Sequence, residues 1–368
     1  MFEGLIGQQA VKDKLSRLIR RGAPGRAHLF LGAAGIGKRR FAGAYANALL
    51  CDSAVTTYDG AARETHVPAA VDSGADYIGR IPCGGCIACG LFKKGAFGEY
   101  RNVEPGGQSQ KKIISVDAVR QITDWFKTRP INSRRKVCVI GNADHMTEQA
   151  QNALLKTLEE PPVYGAIILT AANPGMLLET VRSRCETTYF TSYTENELIN
   201  IIKNSPECPQ ESKILPLARV SEGNPGKAFE LASSDTFFSL RDELLRLFCG
   251  HIDGDARSTV FLAAFLEKNR ERFIQFSGIM IRWLRDIWLL SIRGAPDNEL
   301  KTAAADMADK LESYRARYKP AALLECIECI DGACSAITAN ANFSLAVNAM
   351  LFEINALLPI YTGKVNAK

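Results

Sequence analysis

The sequence predicts an α/β fold in which a parallel sheet with its crossover helices is followed by a purely helical region. The short apolar run 27–31 leads into the glycine-rich stretch 32–38 and then into a helix with apolar periodicity. Apolar runs and helical segments keep alternating up to about residue 190, which is the pattern of βαβ units with parallel strands. Beyond residue 236 strand signals cease, and apolar residues recur only at helical spacing.

Size and composition indicate a soluble globular protein. The 368 residues suffice for two or three domains, and a net charge of +5 permits a nucleic-acid partner without indicating one. The first residues lack the basic and apolar segments of a signal peptide, and no apolar run approaches the ~20 residues that span a bilayer. We therefore expect a cytoplasmic location without membrane contact.

The stretch from Gly32 to Lys38 has the pattern of a phosphate-binding P-loop. Gly32, Gly35 and Gly37 leave backbone N–H groups free to converge on phosphate, and Lys38 adds a positive charge at the helix N-terminus. The motif requires Ser or Thr after the lysine to hold magnesium, and this chain carries Arg39 instead. ATP or ADP binding therefore stays open, whereas hydrolysis by this loop is not expected.

The acidic residues that a P-loop ATPase needs are missing from their usual place. Such enzymes hold the metal and orient the attacking water with groups that follow a buried strand. Here the apolar run Val137–Ile140 is followed by Gly141 and Asn142. For Asp144, a little further on, we favour a place in the first turn of a helix over a displaced catalytic base.

Cysteines at metal-ligand spacing follow the P-loop helix. Cys83, Cys86 and Cys89 form two overlapping C-x-x-C units with glycines between them. With Cys51 they supply the four thiolates of a closed structural zinc site, which we call the knuckle (51–89). The alternatives are small core residues or a redox pair.

Other segments have no predicted chemistry. Residues 52–82 lack periodicity and are interpreted as a surface insertion, and the Cys326-x-x-Cys329 pair falls in an apolar helix, which indicates core packing. Basic segments such as Lys111-Lys112 and 134–136 are expected to be solvated surface. A capping box, Thr194 to Glu197, predicts the start of the helical region.

Two further motifs follow the P-loop and the cysteines along the chain. Leu154 to Pro162 reads Leu-Leu-Lys-Thr-Leu-Glu-Glu-Pro-Pro, and residues 183–185 read Ser-Arg-Cys. Together with the P-loop and the four cysteines, this order resembles the bacterial clamp-loader proteins of the AAA+ class over nearly the whole chain. The resemblance implies an AAA+ domain (1–191), a helical lid (192–235) and a helical collar (236–368) that joins subunits into a ring.

Departures from the motor subunits of that family indicate a stator-type subunit. Arg39 replaces the metal-binding hydroxyl, Gly141 and Asn142 replace the acids, and Gly226 stands where motor subunits carry the sensor 2 arginine. The resemblance therefore implies no ATPase activity of the isolated chain. It also implies that Arg184 of the Ser-Arg-Cys motif reaches into a neighbouring subunit's nucleotide site as an arginine finger.

The partners implied by the resemblance are the gamma/tau ATPase subunits, the delta subunit, the sliding clamp (beta) and primed DNA. DNA contacts would be made mainly to phosphate. One alternative is a gamma/tau-like motor that hydrolyses ATP with Asp144 or Glu148 as a displaced acid. Another is a nucleic-acid-binding zinc-knuckle protein in which the α/β core is only a scaffold, although no aromatic residues interleave the knuckle.

Overall fold

The computed structural model describes residues 1–20, 27–52, 81–106, 113–206, 208–233, 237–293, 308–314 and 317–358. The chain forms two compact units, of which the first comprises Met1–Ile201 with Gly223–Lys227. The second comprises Ile202–Glu222 with Ala228–Lys368. The segment 53–80, which is most of the predicted insertion, and Lys111-Lys112 lie outside the described residues.

The first unit is built on a sheet of five parallel strands. They are β1 (Ala27–Leu31), β2 (Tyr100–Val103), β3 (Lys136–Ile140), β4 (Gly165–Ala171) and β5 (Glu186–Tyr189). Their order across the sheet is β2-β3-β4-β1-β5, so β1, which leads into the P-loop, lies inside the sheet between β4 and β5. All strand pairs are parallel, which confirms the predicted α/β class.

Helices of the first unit precede, connect and follow the strands. They are α1 (Gln9–Arg20), α2 (Lys38–Leu50), α3 (Ile87–Lys93), α4 (Val116–Phe126), α5 (Glu148–Glu159), α6 (Glu179–Arg182) and α7 (Glu195–Lys203), which runs into the second unit. The capping box that starts α7 forms as predicted: Thr194 N donates to Glu197 Oε2 at 2.9 Å, and Glu197 N donates to Thr194 Oγ1 at 3.3 Å. These bonds satisfy N–H groups that the first turn leaves without helical partners.

The core of the first unit explains why its central strands read as apolar runs. Strands β1, β3 and β4 are buried along their whole length. One face of the sheet packs against apolar stripes of α4 and α5, among them Phe126 and Leu154. Because the strands are parallel, their carboxyl ends lie at the same end of the sheet, and the loops that follow them there carry the P-loop and its polar neighbours.

The second unit is helical throughout its described residues. Its helices are α8 (Glu211–Val220), α9 (Pro225–Ala232, which begins in the first unit), α10 (Phe237–Ile252), α11 (Ala256–Lys268), α12 (Phe273–Arg293), α13 (Ala308–Tyr314), α14 (Pro320–Thr338) and α15 (Phe343–Leu357). Cys326 is fully buried in its core, and the Cys329 thiol donates to Glu353 Oε2 at 3.3 Å. The helical C-terminal region predicted from the sequence is confirmed.

Two elements of the first unit escaped the sequence analysis. Strand β2 is an edge strand with the polar sequence Tyr-Arg-Asn-Val, and α3 is a short helix within the knuckle. The division into a lid and a collar stays a prediction. In the described part of the chain, no helix combines the length and apolarity needed to cross a membrane.

Candidate functional site

The loop after β1 has the backbone of a phosphate-binding loop. Gly35 (φ 78°) and Gly37 (φ 97°) adopt left-handed conformations, which glycine tolerates without strain. Between them the Ile36 side chain is buried and anchors the loop to the core. Helix α2 begins immediately afterwards at Lys38, so the predicted sequence of strand, glycine loop and helix N-terminus is present.

The Lys38 side chain is folded back onto its own loop. Its Nζ donates to Gly32 O at 2.6 Å and to Ala33 O at 2.8 Å, and only 6% of the residue is exposed. Burial lowers the pKa of Lys38, and the negative charge of Asp144 partly opposes that shift. The ammonium group thus already has partners within its own chain.

A distant segment of the same unit covers the loop. Asn224 Nδ2 donates to Ala34 O at 2.7 Å, and Gly226 N donates to Gly35 O at 3.0 Å. The backbones of Gly35 and Gly226 are so close that a Cβ on Gly226 would lie 2.5 Å from Gly35 Cα. Any side chain at position 226 would require this loop to move.

The position of the missing acid is filled by a carboxylate from the neighbouring strand. Glu104, just after β2, forms an ion pair with Arg39, with Nε and Oε1 3.1 Å apart. A Cβ on Gly141 would lie 2.6 Å from Glu104 Oε2, so the Glu104 carboxylate occupies the space of a side chain at position 141. The sequence indicates no acid at this place, whereas the structure shows an Arg–Glu ion pair there.

Other polar side chains at this end of the sheet accept hydrogen bonds from backbone N–H groups. Asn142 has left-handed dihedrals (φ 48°, ψ 53°), and its N–H donates to Thr170 Oγ1 at 3.1 Å. Asp144 lies in the first turn of a short 3₁₀ helix, as favoured from the sequence. Its Oδ2 accepts the N–H groups of Ala172 and Asn173, both at 3.0 Å, so this oxygen supports the loop after β4.

Arg184 lies at the surface just after α6. Its Nη2 is 2.7 Å from Glu159 Oε1, and its Nη1 donates to Thr180 O at 2.9 Å. About a third of the side chain (35%) is exposed. In the same motif, burial raises the pKa of the Cys185 thiol to about 12, so this thiol stays protonated and unreactive at neutral pH.

The predicted metal ligands come together although a long segment separates them in sequence. The sulfur atoms of Cys51, Cys83, Cys86 and Cys89 all lie within 4.8 Å of one another. Backbone N–H groups point at three of them: Cys83 N at Cys51 Sγ (3.3 Å), Cys86 N at Cys83 Sγ (3.3 Å) and Cys89 N at Cys86 Sγ (3.4 Å). Such donors stabilise negative charge on sulfur.

This arrangement fits a tetrahedral zinc ion. With Zn–S bonds of about 2.3 Å, sulfur atoms in such a site lie roughly 3.8 Å apart, which is compatible with four sulfur atoms that all lie within 4.8 Å of one another. Burial is the main cause that raises the pKa of Cys89, so an isolated thiol would stay neutral, whereas a bound metal would favour the thiolate. Four protein ligands leave no open position for catalysis.

Two residues of these sites were missed because the signals for them are not local. Glu104 follows a polar edge strand, and only the parallel pairing of β2 with β3 brings it beside Gly141. Asn224 reaches the P-loop from a segment that is remote in sequence. Glu159 belongs to a motif that the sequence analysis had noted, but its contact with Arg184 depends on the tertiary packing of α5 and α6.

Comparisons with known proteins agree with this picture. A family profile described as DNA polymerase III, delta subunit, matches residues 70–194. The DNA polymerase III subunit delta′ of Escherichia coli is 33% identical over 159 residues, which are 43% of this chain and 47% of that protein. The tau subunit of the same organism is 26% identical over 280 residues, or 74% of this chain and 39% of that protein.

Among solved structures, a DNA polymerase III gamma subunit-related protein of Thermotoga maritima has a TM-score of 0.40 at 15% identity. The alignment covers 94% of this chain and 100% of that one. In the two sequence alignments, the chain spans less than half the length of the relatives it matches. The resemblance to bacterial clamp-loader proteins predicted from the sequence is therefore confirmed: this chain is similar to the delta′ and tau subunits of DNA polymerase III.

Proposed function

We propose that this chain is the delta′, or stator, subunit of a replicative clamp loader and helps to place a sliding clamp on primed DNA. In this proposal it hydrolyses no ATP itself and lends Arg184 to the nucleotide site of a neighbouring gamma/tau subunit. Its further partners would be the delta subunit, the clamp and DNA, and its location the cytoplasm. The zinc knuckle would have a purely structural role.

The ion pair between Arg39 and Glu104 is the observation that carries the proposal. In a hydrolysing P-loop a hydroxyl at position 39 would help to hold magnesium, and acids after β3 would hold the metal and orient water. Here a guanidinium lies where it would repel a metal ion, and it pairs with the carboxylate that fills the space beside Gly141. Without a held metal, little remains to stabilise phosphoryl transfer.

Arg184 differs from Lys38 because its guanidinium is at the surface. A cation supplied in trans to a phosphoryl group undergoing transfer can raise the rate by ~10³ to 10⁵. The exposed position of Arg184 after α6 leaves it available to a second subunit. These facts support the finger role within the proposal.

ATP turnover in a reconstituted clamp loader with clamp and primed DNA tests the proposal. The samples are the wild-type chain and Arg184→Ala in the assembly, with the wild-type chain alone as a blank. We expect no ATP turnover by the isolated chain. In the assembly, Arg184→Ala should cause a large fall in turnover, while size-exclusion chromatography shows that the assembly is intact. Turnover by the isolated chain, or an Arg184→Ala loader with full activity, would overturn the proposal.

The alternative is an ATP-hydrolysing motor of the gamma/tau kind, which the similarity to the tau subunit favours. It would need a displaced acid, and Asp144 already uses Oδ2 to accept two backbone N–H groups. Magnesium-dependent turnover by the isolated chain that is lost in a Glu148→Gln or Asp144→Asn variant would establish this alternative.

A further inference from the structure

Two motifs that are separate in the sequence meet at the surface of the first unit. The Leu154–Pro162 motif contains Glu159, the last residue of α5, and the Ser-Arg-Cys motif contains Arg184. The two side chains form an ion pair with 2.7 Å between Glu159 Oε1 and Arg184 Nη2. We propose that Glu159 is a positioning residue that holds the Arg184 guanidinium ready for a phosphate group of a neighbouring subunit, an inference that rests on the proposed function.

The end of α6 supplies the second anchor. The Arg184 N–H bonds to Val181 O rather than to Thr180 O, so helical backbone bonding has ended at this point. The Thr180 carbonyl instead accepts the Arg184 Nη1 group at 2.9 Å and the Ser183 hydroxyl at 3.2 Å. Carbonyls at a helix C-terminus need such donors, and cations are favoured there. The guanidinium is therefore held at two points by its own chain.

This two-point anchor leaves donors free for a ligand. A guanidinium has five N–H groups in a rigid plane, and the contacts with Glu159 and Thr180 use one hydrogen on each of the two Nη atoms. The unused N–H groups of the same plane can donate to phosphate oxygens. Because the side chain is ordered before the subunits meet, part of its conformational entropy is lost before phosphate binds, which favours a productive geometry in the assembly.

The adjacent acid does not share this role. Glu160 follows directly, ends α5 as its C-terminal cap, and is exposed. Within the ranges that the structure describes, Glu160 forms no ion pair with Arg184. Pro161 and Pro162 prevent the helix from continuing, so α5 ends at Glu159. Glu160→Gln is therefore a matched control of the same charge change one residue away.

Two measurements test the positioning role. The first compares kcat and KM for ATP of the reconstituted loader carrying Glu159→Gln, Glu159→Ala, Glu160→Gln, Arg184→Ala or the Glu159→Gln/Arg184→Ala pair. We expect Glu159→Gln to lower kcat about tenfold with KM unchanged, and Glu159→Ala to lower it further, because the amide still offers an oxygen acceptor. Glu160→Gln should have no effect, and Glu159→Gln should add nothing once Arg184 is Ala.

The second measurement is the NMR order parameter of the Arg184 Nε–H group in the isolated chain, which we expect to fall in Glu159→Gln and not in Glu160→Gln. Full turnover, increased turnover or an unchanged order parameter in Glu159→Gln, while Arg184→Ala is defective, would overturn the positioning role and leave the proposed function intact. If Arg184→Ala itself had no effect, both proposals would be wrong.

Discussion

Lys38 and Arg184 are two cations of the first unit that differ in the exposure of their side chains and in the groups that they contact. Lys38 lies in a motif that normally binds phosphate, yet it is 6% exposed and donates to two carbonyls of its own loop. Arg184 has 35% of its side chain exposed and is held at two points of its guanidinium plane. The first cation is used within its own chain, whereas the second remains available outside it.

The neighbourhoods of the two cations extend this contrast. Around the P-loop, Asn224 and the backbone of Gly226 contact the loop, and Glu104 pairs with Arg39. Around Arg184, the polar contacts of the guanidinium among the described residues are to one carboxylate and one helix-end carbonyl. The shape of a P-loop can thus coexist with contacts within the chain that occupy its lysine and the arginine after it, so loop shape alone does not indicate ATP hydrolysis.

The largest expected effect is that of replacing Arg184, and it is compared with a replacement of Lys38. Arg184→Lys keeps the charge but loses the planar fork, so we expect turnover at the neighbouring site to fall about 10²-fold or more in the reconstituted loader. Lys38→Met should change turnover by less than about twofold, because its ammonium serves only its own loop. Arg182→Lys, on the last turn of α6, is the control. Equal defects in Lys38→Met and Arg184→Lys would remove the contrast.

The second-largest effect is expected from the loss of the zinc site in the knuckle. Cys51 caps the C-terminal end of α2, the helix that Lys38 begins, so the metal would tie α2 to the segment 83–89, which ends in α3. We expect about one zinc per chain by mass spectrometry. In Cys83→Ser the zinc should be lost, and the free energy of unfolding should fall by more than about 2 kcal/mol.

Cys208→Ser, at an exposed cysteine outside the cluster, should keep both the zinc and the stability. A wild-type chain that folds without metal and unfolds at the same denaturant concentration after chelation would contradict the knuckle.

The contact of the segment 224–226 with the P-loop can be tested at Gly226, which lies against Gly35. In Gly226→Ala the new Cβ would lie 2.5 Å from Gly35 Cα, and we expect a loss of roughly 1–3 kcal/mol in chemical denaturation. Gly43→Ala in α2 has nothing within 4 Å of its Cβ and should stabilise the helix by about 0.5–1 kcal/mol. If Gly226→Ala were as stable as the wild type, the segment would not be fixed against the loop.

The smallest effect is expected at Arg39. Arg39→Thr restores the hydroxyl of an intact P-loop, but it supplies no acid after β3, so the isolated chain should remain inactive toward Mg-ATP. The lost ion pair is largely exposed on the Arg39 side (68%) and should cost less than about 1 kcal/mol of stability. Arg40→Thr is the control. Turnover gained by Arg39→Thr alone would show that the missing hydroxyl was the main defect.

The parts predicted from the sequence are those with local or periodic signals. Strands β1, β3 and β4 are buried on both faces and therefore read as continuous apolar runs, and the capping box at Thr194 lies within one helical turn. Strand β2 was missed because none of its four residues, Tyr-Arg-Asn-Val, is fully buried and they form no apolar run.

At the candidate site, too, only the residues that are close in sequence could be predicted. The glycines and Lys38 are close together within the P-loop, and the cysteines are close together within the C-x-x-C units, so the spacing within each motif indicates its chemistry. The Glu104–Arg39 and Glu159–Arg184 pairs join different elements, and sheet order and helix packing create them. Spacing alone could not predict either pair, because each depends on the tertiary fold.

The close approach of Glu104 to Gly141 also has an evolutionary consequence. A mutation that returned an acid to position 141 would place its Cβ 2.6 Å from Glu104 Oε2 and set two negative charges side by side. Moving Glu104 away first would leave Arg39 without this partner. An acid at position 141 is therefore unfavourable while Glu104 keeps this place, whereas loss of the largely exposed Arg39–Glu104 pair costs little, so a change at position 104 would have to come before one at position 141.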